Sequence, residues 1–480
     1  MDAPIDLYEK LHVFEDNKEL LEFTLEYYNI PMWLLVRTHI MIECIDKRTG
    51  VYSKVKNRNL IIRKNECKEM TVRNPMLSLP KEIVYAGFPN TYMLEHEEGK
   101  FYDERIMPYV KISKNSSMLV SVLINDKFEY GYPNWKSDYF IHYLAHRKEN
   151  IYENDIQKIE EFVKYIKEKL PFEINNNIIK MIFNTVIYYS KSMPGYVETW
   201  KSYLKIVKPK LVVICECCYM GVSAVGLTLA CKDLKIPTAE IQHASVAKTS
   251  LAHYWGDEIM RNRNCKRLFP DYFLTFGKYW NDYIHLPSKK VVVGTHRKYN
   301  IEIQNKNINE NVLICLSINC RQYINVVEYI VANTGLETKI YLRFHPLGNT
   351  ENNKLIFKKY NQNDRFEFAN DKNLEYYFEN CKYMISSGST VIYEALTCGK
   401  IVFVPKDQIY NYCGMDTVKD KIYSFETIQQ FKKLWDKRAT FPMKVYNDFY
   451  EMDYERLYTE FIKKVTKKQK KLKGRKRVYE

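Results

Sequence analysis

A chain of 480 residues and 57.5 kDa exceeds one small core, and at roughly 100–200 residues per domain it calls for two to four domains. Hydrophobic residues at 46% and charged residues at 27% exclude a disordered or fibrous chain. The net charge is +15, of which +9 falls in residues 461–480, so the body is only mildly basic.

In chain order, residues 1–50 carry helix-like periodicity: Leu20, Leu21, Thr24, Leu25 and Tyr28 share one helical face. Short β-branched or apolar runs then follow at Glu82–Ala86, Met118–Ile124, Leu211–Cys215, Thr238–Ile241, Tyr272–Phe276 and Lys290–Val293. A further helical stretch, 141–205, interrupts them. Beyond a join near Gly294–Asn311 the runs resume at Val312–Leu316, Lys339–Phe344, Arg365–Phe368, Tyr383–Ser386 and Ile401–Val404. Asn325–Val331, Leu374–Asn380 and Thr390–Thr397 lie between them as helices. Continuous apolar strands alternating with helices indicate parallel sheets covered on both faces. Two such series predict an α/β chain of two facing, Rossmann-like doubly wound domains. The expected boundaries are 1–295 for the first domain with its added helices, 296–425 for the second, and 426–480 for C-terminal helices and a basic tail. In this architecture ligands bind beyond the carboxyl ends of the strands, so the residues just after each run matter most.

No apolar stretch approaches the ~18 residues a membrane span needs. The first residues, MDAPIDLYEK, carry acids where a secretory signal carries bases, so a cytoplasmic location is expected. The twelve cysteines then read as small apolar residues and not as a disulfide framework. Their densest group, Cys215, Cys217 and Cys218, lacks a second pair at zinc-finger spacing. No metal and no resident cofactor are expected.

Three stretches carry candidate chemistry. Tyr341–Pro346, YLRFHP, ends an apolar strand in Arg343, Phe344, His345 and Pro346. Proline holds the preceding histidine extended, where an imidazole can stabilise or protonate a leaving phosphate. Ile385–Lys400, ISSGSTVIYEALTCGK, ends a strand in Ser386 and Ser387 and opens a helix after Gly388, Ser389 and Thr390. Its backbone N–H groups and hydroxyls form an anion cradle, with Glu394 one turn in to accept from ribose hydroxyls. Three hydroxyls exceed what one N-cap needs.

The order HP then SSGST…EA…GK resembles the nucleotide-binding half of GT-B-fold glycosyltransferases of bacterial surface polysaccharides, those similar to sialyltransferases and Kdo transferases. The resemblance covers roughly Lys205–Asp416. It implies that His345 faces a donor phosphate and that Ser386, Ser387, Ser389 and Thr390 hold phosphate or ribose of a nucleotide-sugar, CMP-linked by preference and UDP-linked as the alternative. In the first domain, Ala239–Ala252, AEIQHASVAKTSLA, is similar to the E-x-Q-H-G stretch of capsule glycosyltransferases, with Ala244 in place of the glycine. Either His243 or Glu240 would then take the proton of an acceptor hydroxyl. Glu216 and Gly221 follow another strand end and are second-rank candidates. Gly294, after KVVV, is expected to line the cleft between the domains, with His296 and Arg297 near a phosphate. Glu97-Glu98-Gly99 matches the acidic motif bearing the base in several sialyltransferase families, but its charged surroundings read as a solvated turn.

The resulting expectation is an inverting, metal-independent glycosyltransferase acting on a glycan or lipid-linked acceptor. A sugar-nucleotide 2-epimerase or polyol-phosphate transferase on the same scaffold is the close alternative. The ten bases of 461–480 suit an anionic membrane surface, placing the enzyme at the inner face of the membrane. A nucleic-acid-binding protein led by this tail is the distant alternative, but nucleic acid is not the expected partner, because the tail has only Phe461 and Tyr479 for stacking.

Overall fold

The computed structural model describes residues 4–49, 73–87, 93–96, 100–103, 105–113, 115–120, 129–132, 135–148, 152–297, 309–317, 320–345, 351–360, 363–369, 373–407, 410 and 413–476. Pro346, Glu97-Glu98-Gly99, residues 121–124 of the run Met118–Ile124 and most of the join 295–311 lie outside them.

Two parallel sheets form the two doubly wound domains. The first uses β1 (Ile83–Ala86), β2 (Ser116–Val120), β3 (Lys136–Ser137), β4 (Leu211–Ile214), β5 (Thr238–Ile241), β6 (Tyr272–Thr275) and β7 (Lys289–Val292). Their order is β7-β6-β5-β4-β1-β2-β3, and every neighbouring pair is parallel. The second sheet uses β8 (Val312–Cys315), β9 (Ile340–Arg343), β10 (Phe366–Phe368), β11 (Tyr383–Ser386), β12 (Ile401–Pro405) and β13 (Tyr423–Phe425). Its order is β10-β9-β8-β11-β12-β13, again wholly parallel. The order reverses between β4 and β1 in one sheet and between β8 and β11 in the other. Those two crevices are the topological switch points at which doubly wound sheets bind ligands.

The sequence explains the strands directly. Leu211–Ile214, Val312–Cys315 and Tyr383–Ser386 are buried at every position, as a sheet covered on both faces requires. The helices added to the first domain are α1 (Pro4–Glu15), α2 (Met32–Thr49), α3 (Tyr139–His146), α4 (Glu153–Lys169) and α5 (Asn176–Val207). The helical face read from Leu20 to Tyr28 does not form a helix. Lys18–Leu21 is a single 3-10 turn, Thr24–Leu25 pairs with Ile30–Pro31, and Tyr28 and Asn29 adopt positive φ. The strand Thr24–Leu25 interrupts the stretch, and the left-handed pair Tyr28–Asn29 closes it against a continuing right-handed helix.

Three further helices follow strand ends: α6 (Val222–Asp233) after β4, α7 (Ile324–Ala332) after β8, and α8 (Leu374–Asn380) after β10. Helix α9 (Thr390–Thr397) follows β11 and carries the serine turn at its start. Residues 426–480 divide between the domains. Helix α10 (Ile428–Asp436) packs Phe431 and Trp435 on the second domain, where Trp435 meets Tyr383 and Phe403. The chain then crosses back, and α11 (Tyr454–Lys476) lays Tyr458, Phe461 and Val465 on the first-domain sheet. There the Tyr458 hydroxyl lies 2.7 Å from that of Tyr85 on β1. The start of the basic tail is therefore core, and a helix extends to Lys476.

The two domains meet through aromatic packing. Trp280 and Tyr279 of the first domain contact Tyr393 of α9, with ring centroids 4.7 and 6.0 Å apart. Phe449 of the returning segment closes the cluster against Tyr279, Trp280 and Tyr393. Gly414, at φ +72°, adds a second contact, because a Cβ there would lie 2.6 Å from Cβ of Ala247. No helix among the described residues is long and apolar enough to cross a membrane.

Candidate active site

The loops after the strand carboxyl ends of the two sheets touch one another. Ser245, four residues past β5, donates its N–H to Oγ1 of Thr390 at the start of α9, at 3.2 Å. Arg297, just past β7, forms an ion pair through Nη1 with Oε1 of the buried Glu394. These two contacts tie the loop after β5 and the segment after β7 to the first turns of α9.

On the second-domain side, Ser389 caps α9 at Val391 N–H. Its extended backbone, at φ −149°, and the short hydroxyl suit an N-cap. Ser386 and Ser387 are buried. Ser386 Oγ donates to the Ser387 carbonyl, while the Ser387 N–H donates to the Tyr323 hydroxyl at 2.7 Å. The Ser387 side chain, on a residue 3% exposed, also interacts with the Tyr323 hydroxyl. It sits beside a helix N-terminus, where an anion is favoured. The Gly388 carbonyl accepts from the Cys413 thiol at 3.0 Å.

His345 lies two residues past β9. Strand register places Arg343 and Ser386 on either side of Cys315 of β8. With neighbouring strands about 4.8 Å apart, the Arg343 and Ser386 backbones stand roughly 10 Å from one another across β8. The His345 ring is half-buried, and burial lowers its pKa from the ordinary histidine value. Arg343 donates to the Ala369 carbonyl at 3.2 Å and faces the Tyr377 ring, so part of its role is to tie β9 to its neighbours.

The first-domain side holds a pocket lined by Arg105, Ile106, Val213, Cys215, Glu216, Ile241 and His243. Glu216 adopts a left-handed backbone at φ +54°, which turns its carboxylate towards Arg105 at 2.8 Å. Arg105 also pairs with Asp103 at 2.8 Å. Burial raises the Glu216 pKa above the usual carboxylate value, and Arg105 opposes that shift. His243 is partly exposed at the pocket. Burial of its ring pushes the imidazole well below its ordinary range, with Arg105 and His253 acting in the same direction. The imidazole is thereby held neutral, and its protonated form needs a compensating charge nearby.

Glu240, the other candidate base, is fully buried on β5. Its Oε2 accepts from the Cys218 N–H at 2.9 Å and its Oε1 lies 3.7 Å from Nε2 of His253. It stands behind the pocket and is not among the lining residues.

Gly221 caps α6 with open space where a Cβ would lie. Gly294, expected beside the cleft, has φ +81° and is packed under the returning segment. A Cβ there would lie 2.5 Å from the Glu451 carbonyl oxygen and 3.1 Å from Tyr454. The Gly294 carbonyl accepts from the Tyr109 hydroxyl at 3.0 Å. The neighbouring His296 faces the Tyr109 and Tyr454 rings, and both its ring nitrogens are unbonded among the described residues. Burial and the adjacent Arg297 lower its pKa to about 4. Arg297 and Glu394, read separately as phosphate and ribose contacts, are each other's partners in this structure.

Two residues of this site escape the sequence reading. Arg105 lies in a charged stretch with no motif, so nothing marks it. His253 lies one residue beyond the stretch Ala239–Ala252, and a second histidine after His243 in one loop is the only signal it offers. No cluster of three or more potential metal ligands occurs among the described residues.

No protein-family model matches the chain, and no curated protein matches it in sequence. Solved structures do resemble it in fold. UDP-GlcNAc 2-epimerase from Neisseria meningitidis bound to UDP-GlcNAc is 11% identical, with a TM-score of 0.45, over 80% of this chain and 99% of that one. MurG from Acinetobacter baumannii is 10% identical, with a TM-score of 0.42, over 80% and 99%. The spinosyn rhamnosyltransferase SpnG complexed with thymidine diphosphate is 11% identical, with a TM-score of 0.41, over 80% and 96%. Likeness of this degree carries no argument about activity.

Proposed function

We propose that the chain is a glycosyltransferase that moves a sugar from a nucleotide-sugar to a hydroxyl of a glycan or lipid-linked acceptor. The observation that carries this reading is the contact of Ser245 with Thr390. It supports the reading because Ser245 follows the candidate base His243 by two residues and Thr390 belongs to the candidate phosphate cradle. The acceptor hydroxyl loses its proton to His243 as its oxygen attacks the anomeric carbon. The bond from that carbon to the nucleotide phosphate breaks on the opposite face, which inverts the configuration. Charge growing on the departing phosphate is met by His345, the Ser387 hydroxyl and the N–H groups that open α9. His243 is preferred to Glu240 as the base because it lines the pocket while Glu240 is wholly buried.

The same residues need no divalent metal to stabilise the leaving group. CMP-sugars suit a serine-rich cradle by resemblance, and UDP-sugars fit the same scaffold. The exposed Lys463, Lys464 and Lys467 on α11, continued by the bases that follow, would hold the enzyme at an anionic membrane surface beside a lipid-linked acceptor.

The test is incubation of the purified protein with CMP-N-acetylneuraminate and with UDP-N-acetylglucosamine, with and without hydroxyl acceptors, followed by mass spectrometry. Acceptor-dependent release of free nucleotide supports transfer. Interconversion of the donor without acceptor would replace transfer by epimerisation, and an inert donor panel would reject both.

A further inference from the structure

Behind the His243 ring lies a pair of titratable groups that the transfer chemistry above leaves unused. Glu240 is 0% and His253 5% exposed. Glu240 Oε1 and His253 Nε2 face one another at 3.7 Å, and neither atom has a hydrogen-bond partner among the described residues. The other carboxylate oxygen is fixed by the Cys218 N–H, so the unfilled oxygen is aimed by the β4–α6 turn. His253 in turn packs edge-on against His243, with ring centroids 5.9 Å apart, and Tyr219 lies against both rings, at 6.2 and 6.0 Å. Phe273 of β6 closes the far side of His253 at 5.1 Å. The buried carboxylate, the buried imidazole and the partly exposed imidazole therefore form one row running from the sheet to the pocket.

Two buried polar atoms left unfilled less than 1 Å beyond hydrogen-bond reach of one another are not a stable packing solution. A small rotation of the His253 ring closes the gap. We propose that Glu240 and His253 are positioning residues for His243. His253 donates its Nε2–H to Glu240, which fixes the ring that supports His243. When His243 takes a proton and becomes an imidazolium, the Glu240 carboxylate supplies the compensating charge. No proton has to leave His243 along the row. The pair explains why a carboxylate is kept at a fully buried position of β5 and why a second histidine sits behind the first. The inference rests on the transferase reading only for the source of the proton.

The test is nitrogen NMR of the full chain labelled at the histidine ring nitrogens, with His243 and His253 assigned by loss of signal in His243→Gln and His253→Asn. In the unmodified protein His253 must carry a proton on Nε2, and finding it as the Nδ1–H tautomer overturns the proposal without any variant. In Glu240→Gln, whose amide oxygen still accepts from Cys218, and in His253→Asn, the His243 signal is expected to change from one fixed tautomer to an exchanging mixture, alongside whatever fall in melting the loss of a buried pair brings. A merely structural role would shift melting and leave the His243 tautomer as it was, and that result rejects the proposal. Nucleotide binding, followed by calorimetry with CMP and UDP on the unmodified protein, separates the two ideas. Coupled tautomers without nucleotide binding retain the pair and remove transfer. Nucleotide binding with uncoupled tautomers does the opposite.

Discussion

Replacing Gly294 by alanine separates a packing role from a ligand role at the join of the two domains. At φ +81° an alanine pays roughly 1–2 kcal/mol for the left-handed backbone. Its Cβ would also lie 2.5 Å from the Glu451 carbonyl oxygen and 3.1 Å from the Cα and Cβ of Tyr454. These are largely backbone atoms at the start of α11, so relief requires that the returning segment move, at a typical overpacking cost of about 1–3 kcal/mol. Together roughly 2–5 kcal/mol are lost, and a domain of about 300 residues then melts some 3–8 °C lower. The returning segment also donates the Glu451 N–H to the Phe276 carbonyl and accepts the Thr295 N–H, so loosening it exposes α11 first. Circular dichroism melting of the full chain, with limited proteolysis followed by mass spectrometry, is the assay. Early cleavage around 451–454 is expected, with CMP affinity close to that of the unmodified protein. A Gly294→Ala protein that melts normally but binds nucleotide poorly would refute this reasoning and return Gly294 to the ligand site.

Other expectations follow from the same structure. His345→Ala should lower turnover about 100-fold or more with melting unchanged, read as kcat with CMP-N-acetylneuraminate. A near-normal rate removes this residue from leaving-group stabilisation. Deleting 461–480 should unfold the first domain, because Phe461 and Val465 are buried in it. Deleting 468–480, which removes seven of the tail's ten bases, should leave melting intact and weaken sedimentation with phosphatidylserine vesicles. Unchanged partitioning would discard the membrane role. Acid should destabilise the chain between pH 6.5 and about 4. His296 is depressed to about 4 and His12 to about 3, each chiefly by burial. The unfolded chain therefore binds protons that the folded chain refuses, and the stability present above pH 6.5 falls as pH drops through that window. His296→Gln should flatten the fall by at most about 3 kcal/mol, measured by urea unfolding at pH 7 and 4.5.

The strands were legible because sheets buried on both faces demand unbroken apolar runs. Thr238–Ile241 and Tyr383–Ser386 coincide with β5 and β11 to the residue. Lys136–Ser137 and Tyr423–Phe425 escaped notice since edge strands of two or three residues with polar members leave no periodic trace. The helix read over Leu20–Tyr28 fails on local backbone, which an apolar count does not sense. The return of α11 to the first domain was masked by composition: Tyr458, Phe461 and Val465 form a stripe, but lysines dominate the segment around them. At the site, the serine turn and the histidine strand ends follow from strand position alone. The Arg105–Glu216 pair and the Glu240–His253 row join residues 111 and 13 positions apart, and only the folded chain brings them together.

The central claim is a nucleotide phosphate held between His345 and the serine turn. Isothermal calorimetry with CMP and with UDP, on the unmodified protein and on the double variant His345→Ala with Ser387→Ala, tests it most directly. Binding of one nucleotide by the unmodified protein, weakened at least about tenfold in the double variant at equal melting temperature, is the expected result. Equal affinity in both proteins, or binding of neither nucleotide, would contradict the account.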